Sequence, residues 1–64
     1  MIIKDDIKAI NKDILKAKKF KFQVKRAEYW ISKLHNVYPD YIFEVVLTED
    51  EKNVKIVYKL EVVY

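Results

Sequence analysis

Residues 16–26, KAKKFKFQVKR, decide how this chain folds. Six of the eleven residues are basic, and Phe20, Phe22 and Val24 alternate with Lys19, Lys21, Gln23 and Lys25. Strict period-two alternation of aromatic and β-branched residues marks a half-buried strand. The competing reading is a helix. Ile14 and Val24 are ten residues apart, so an apolar helical phase slips but survives, and no proline or glycine interrupts the stretch. The alternation favours the strand.

The flanking segments are plainer. In residues 3–17, Ile3, Ile7, Ile10, Ile14 and Ala17 recur at spacings of four and three, the stripe of an amphipathic helix. Asp5 and Asp6 stand at its start and Lys16, Lys18 and Lys19 at its end, both favourable to the helix dipole. Residues 27–38 read as a second helix, with Ala27, Trp30, Ile31, Leu34 and Tyr38 on one face, Asn36 as a left-handed cap and Pro39 beyond it. The C-terminal third reads as a hairpin. Tyr41, Phe43, Val45 and Leu47 alternate on one strand, and Val54, Ile56, Tyr58, Leu60, Val62 and Tyr64 on the next. The connection EDEKN lacks glycine, which suits a four- or five-residue loop with Asn53 left-handed. Pairing Leu47 with Val54 sets Phe43 opposite Tyr58 and puts both apolar faces on one side.

These elements predict a single α+β domain over residues 1–64: two helices on one face of a small mixed three-stranded sheet, in the order α-β-α-β-β. Residues 20–24 would pair with the last strand near residues 60–64, through a right-handed crossover. The alternative is a long bent helix against a C-terminal β-hairpin.

Composition bounds the function. A domain of 64 residues buries only about 60% of its unfolded surface. It has no cysteine for disulfides or thiolate metal sites, which suits a reducing, cytoplasmic setting, and oligomerisation is the remaining source of extra stability. The 52% apolar content argues against disorder, and neither a membrane span nor a signal-peptide plan is present. The twelve lysines against one arginine partly reflect AT-rich codons, a bias that fits phages and mobile elements of low-GC hosts and many ordinary cellular genes as well.

Catalytic residues are scarce. Glu28, Ser32 and the single histidine, His35, share one helical face, but three neighbours on a convex surface cannot enclose a substrate. No glycine is available for a phosphate loop or a nucleophile elbow. The acidic pairs Asp5–Asp6 and Glu49–Asp50–Glu51 are a helix start and a hairpin loop. No catalytic residue, metal site or cofactor is expected, and the protein is expected not to be an enzyme.

Two binding functions remain. On the strand reading, Ile42, Val46, Val57 and Val63 share the sheet's open face with Lys55 and Lys59, a half-apolar surface beside a bare edge strand. With Tyr29 on the second helix, these residues point to a non-enzymatic protein-binding module. Its concrete form is a phage or mobile-element inhibitor that occludes a host or defence machine, and a homodimer is one arrangement it admits. The alternative is a small basic nucleic-acid-binding protein that uses Lys21, Lys25, Lys55 and Lys59 on the sheet and Lys8, Lys12, Lys16 and Lys19 on the first helix. Against it, the same reading places Phe20, Phe22, Phe43 and Tyr58 on the core face, where they cannot stack on bases.

Overall fold

The computed structural model describes residues 2–61. It is an α+β fold of two helices, α1 (Ile3–Lys16) and α2 (Phe20–Val37), followed by an antiparallel hairpin of β1 (Tyr41–Leu47) and β2 (Val54–Leu60).

The α1 stripe behaves as its spacing predicts, and Ile7, Ile10 and Ile14 are buried. Residues 20–24 do not. They form the first turn of α2, and among the described residues the sheet has two strands rather than three. Of the expected mates near residues 60–64, Leu60 pairs with Tyr41 in β1, and residues 62–64 lie outside the described residues. The structure is therefore nearer the helical alternative, except that the helix breaks at residues 17–19 and the chain reverses. Carboxylates on α1 meet aromatic side chains on α2 in antiparallel order, Asp6 with Tyr38 and Asp13 with Trp30. The geometry explains the break. A single helix over residues 3–37 would run about 50 Å, whereas a seven-residue strand covers only about 23 Å. Folding the helix back lets both stripes bury against one short sheet.

The apparent strand alternation has a physical origin. Phe20 and Phe22 are half exposed, at 50% and 44%, and Gln23 between Phe22 and Val24 is the buried residue, at 2%. Its carboxamide replaces the missing strand. Nε2 donates to the carbonyl of Ala17 at 2.8 Å and to Oδ1 of Asn53 at 2.9 Å, while Oε1 accepts the Val54 N–H at 3.1 Å. Gln23 thus lies beside β2, as a strand there would, but reaches it through its side chain. On α1, Asn11 does the same for Ile56, accepting its N–H at 2.8 Å and donating to its carbonyl at 3.2 Å.

The hairpin register matches the sequence reading, with Leu47 opposite Val54 and Phe43 opposite Tyr58. The loop differs in one detail. Glu51, not Asn53, takes the left-handed conformation, with φ of 59°. Asn53 is committed to Gln23 instead, and Asp50 shapes the turn by accepting from the Thr48 hydroxyl and from the Lys52 N–H. Asn36 likewise is no left-handed cap, since α2 continues to Val37 and ends at Tyr38 with φ of −127°. The core gathers Ile7, Ile10 and Ile14 from α1, Ala27 and Leu34 from α2, and Phe43, Val54 and Ile56 from the sheet.

Two stability measurements test this account. Gln23→Leu preserves bulk but orphans the Val54 N–H and the Ala17 carbonyl; at roughly 1–3 kcal/mol for each unsatisfied group, urea denaturation should show a loss of at least about 2 kcal/mol. Glu51→Gly should instead stabilise by about 0.5–1 kcal/mol, because relief of a left-handed side chain exceeds the added freedom of the unfolded chain. An unchanged midpoint in the first variant, or a lowered one in the second, would contradict the local geometry.

Candidate binding surfaces

The helices cover one face of the sheet, and the alternate residues form its other face. Ile42, Val46 and Lys55 are half-buried there, and Val57, Lys59 and Glu44 are exposed. The register sets Ile42 beside Lys59, Val46 beside Lys55 and Glu44 beside Val57. A shallow hollow of ≈ 60 Å³ opens between Ile42, Val57 and Lys59, too small for a cofactor. Val63, expected on this face, lies outside the described residues. Tyr29, expected on the outer flank of the second helix, lies on α2 with 55% exposure.

The two edges of the sheet differ. Backbone bonds from Thr48 to Asn53 and from Glu61 to Asp40 bracket the ladder and make the even-numbered residues of β1 the ones that bond to β2. The odd-numbered residues therefore turn their N–H and C=O groups outward. On β2 the corresponding groups of Val54 and Ile56 are taken by Gln23 and Asn11. On β1 the Tyr41 N–H reaches the Tyr38 carbonyl at 3.2 Å, and Phe43, Val45 and Leu47 have no partner among the described residues. The β2 edge is thus capped at the Val54 N–H and at both Ile56 groups, while Tyr58 and Leu60 farther along it, like Phe43, Val45 and Leu47 on β1, have no outward partner among the described residues.

The lysines do not assemble as the sequence reading required. Lys21 and Lys25 belong to α2, so they do not share the sheet face with Lys55 and Lys59. Lys8, Lys12 and Lys16 are exposed on α1, and Lys19 precedes α2. The aromatics also change sides, because Phe20 and Phe22 face outward rather than into the core. A reading that treated Gln23 as part of the buried stripe with Ala27, Trp30 and Leu34 would have found this, since their spacings of four, three and four are helical.

Between the helices runs an apolar groove of ≈ 290 Å³, lined by Ala9, Ile10, Leu34 and Val37. Hydrogen bonds flank it along the seam. Toward one end the Tyr38 hydroxyl donates to Asp6; toward the other, Trp30 Nε1 and Arg26 Nη1 donate to the Asp13 carboxylate at 2.9 and 3.2 Å. The Trp30 hydrogen bond lowers the Asp13 pKa; desolvation opposes it, and the charge and hydrogen bond of Arg26 add to the lowering. The hydrogen bond to Asp6, with burial adding to it, pushes the Tyr38 hydroxyl up to about 12.

Glu28, Ser32 and His35 are exposed on α2, and the His35 ring packs edge-on to Phe43 at 5.9 Å. Among the described residues, no three metal-ligating side chains converge and no helix is long and apolar enough to cross a membrane. Comparison with protein-family models, curated proteins and solved structures finds no match.

The raised Tyr38 pKa gives a pH test of the interhelical tether. A folded pKa above the unfolded value near 10 means that the stabilisation is complete below pH 10 and is lost as pH rises through about 12. The stability difference between wild type and Tyr38→Phe should therefore hold steady from neutral pH to about 10 and shrink above it, as followed by urea denaturation. A difference independent of pH across this window would remove the Asp6–Tyr38 bond from the account.

Proposed function

We propose that the protein is a non-enzymatic protein-binding module that takes its partner on the bare edge of β1 and the adjoining outer face of the sheet. The asymmetry of the two edges carries this reading. Side-chain amides meet the Val54 N–H and both Ile56 groups and so interrupt the β2 edge, while among the described residues Phe43, Val45 and Leu47 present an uninterrupted row of donors and acceptors. β1 carries one charged residue, Glu44, and no proline, so it lacks the usual devices that keep an edge from pairing. An added strand would satisfy those groups, and side chains from the same partner would cover Ile42, Val46 and Val57. Lys55 and Lys59 on that face favour a partner with acidic residues.

The concrete form of this function is a small inhibitor from a phage or mobile element, acting in the cytoplasm by occluding a host or defence machine. The AT-rich codon bias and the absence of cysteine support that setting. A second copy of the chain fits the edge alone, since edge-to-edge pairing extends the sheet and leaves its outer face for another partner. A two-fold axis through Val45 would pair Phe43 with Leu47 of the other copy and Glu44 with Val46, leaving no like charges opposed.

Two substitutions test this surface. Val57→Lys places a charge on the outer face; in the free monomer it should change stability by no more than about 0.5 kcal/mol. In a desolvated contact it should cost about 3–5 kcal/mol and abolish assembly. Val45→Pro removes an outward N–H and spares the ladder, whereas Val46→Pro removes a ladder donor and should cause the larger loss of stability. Analytical ultracentrifugation reads self-association, and capture from the source cell reads a foreign partner. A monomeric wild type whose folded Val57→Lys and Val45→Pro variants capture the same proteins as wild type would overturn the proposal.

A further inference from the structure

The α2 flank that borders α1 carries a pattern unrelated to the sheet. Phe22, Arg26, Tyr29 and Lys33 follow one another at spacings of four, three and four, so they lie in a single line along the helix. Aromatic and cationic side chains alternate in that line. Both rings are open to solvent, Phe22 at 44% and Tyr29 at 55%, and neither belongs to the core. Cations already sit against them: Lys21 Nζ lies 5.1 Å from the Phe22 centroid and Lys33 Nζ 5.3 Å from that of Tyr29. Trp30 braces the Tyr29 ring edge-on at 5.3 Å. No acidic residue occurs between Asp13 and Glu28, and Glu28, about a third of a turn from the line, is outnumbered on its own side by Lys21 and Lys25. Asp13 is occupied by Trp30 and Arg26.

We infer that this flank binds single-stranded nucleic acid without sequence preference, stacking bases on Phe22 and Tyr29 and placing phosphates against Lys21, Lys25, Arg26 and Lys33. The inference is independent of the sheet surface, which lies on the opposite side of the core. The interleaving selects the ligand. A single strand alternates flat bases with phosphates, and the flank alternates rings with cations over about 16 Å of helix. A membrane-surface helix instead separates an apolar face, sunk into the lipid, from a cationic face at the headgroups. A duplex hides its base faces in its own stack and leaves the two rings unused.

The test is fluorescence anisotropy with a labelled oligothymidylate of about 12 nucleotides. Saturable binding is expected in about 50 mM salt, weakening about 50-fold by 200 mM if four phosphates are contacted. Phe22→Ala and Tyr29→Ala should each weaken it by about 5- to 100-fold, with the circular dichroism spectrum unchanged. Tyr29→Phe should retain binding, and Lys8→Gln on α1 should leave it as in wild type. Three results would each overturn the inference: no binding at the lower salt, ring variants that bind as wild type does, or a duplex bound as tightly as the single strand. Ring-dependent binding to phosphatidylserine vesicles but not to the oligonucleotide would assign the flank to membranes instead.

Discussion

The buried carboxamide of Gln23 is the joint on which the fold turns. It ties three segments that are distant in sequence: the end of α1 through the Ala17 carbonyl, the hairpin loop through Asn53, and the start of β2 through the Val54 N–H. A carboxamide offers two donors and an acceptor on one planar group, and here both donors and the acceptor are engaged. An apolar residue of the same size would leave several groups dry and unpaired, and a carboxylate would lack the donors. A domain of ordinary stability, about 5–15 kcal/mol, has little margin for such a loss. The helix break has the same origin. Residues 17–19 contain no glycine or proline, and the Ala17 carbonyl, released from the helical ladder, is met by Gln23.

A two-stranded hairpin is marginal by itself and needs a third strand or a packed helix. Here the helices supply both burial and edge protection. Asn11 occupies the Ile56 backbone as a neighbouring strand would, and Gln23 does so for Val54. The hairpin thus gains part of the satisfaction of an inner strand at the start of β2. Among the described residues β1 has no equivalent, because α1 packs toward β2 and α2 packs across both strands. The open edge of β1 therefore follows from where the helices lie.

Much of this was legible in the residues. α1 and the hairpin, including its register, follow from periodicities that only one structure satisfies. Ile42, Val46 and Val57 could be placed together on the open face for the same reason. Residues 20–24 misled because two half-exposed phenylalanines and one half-buried valine mimic a strand in the first turn of a helix, where neighbours face different ways. The decisive residue was polar. Counting apolar positions assigns Gln23 to solvent, and its burial becomes sensible only once the partners at Ala17, Asn53 and Val54 are in place. Those contacts span up to 31 residues and have no local signature. The error spread to the lysines. Removing the third strand scattered Lys21 and Lys25 from Lys55 and Lys59, and it turned Phe20 and Phe22 outward.

The two helices show what the placement of those lysines costs. α1 obeys the electrostatics of its dipole, with Asp5 and Asp6 at the start and Lys16 at the end. α2 opposes them. Its N-cap, Lys19, makes no side-chain capping bond, its first turn holds no acid, and Lys18, Lys19 and Lys21 crowd the positive end. α2 starts there because Gln23 must reach β2 and because Ala27 and Leu34 are buried farther along, so tertiary contacts override the local preference. The repulsion is uncompensated by any ion pair to these lysines among the described residues, where Arg26–Asp13 is the one salt bridge. Added salt should therefore stabilise this corner, contrary to its effect on a surface held by attraction. The molecule is unsatisfied in two ways on two sides of one core. The outer edge of β1 lacks hydrogen-bond partners among the described residues, and the first turn of α2 lacks an acid. The proposed strand partner would meet the first need and the proposed single-stranded nucleic acid the second.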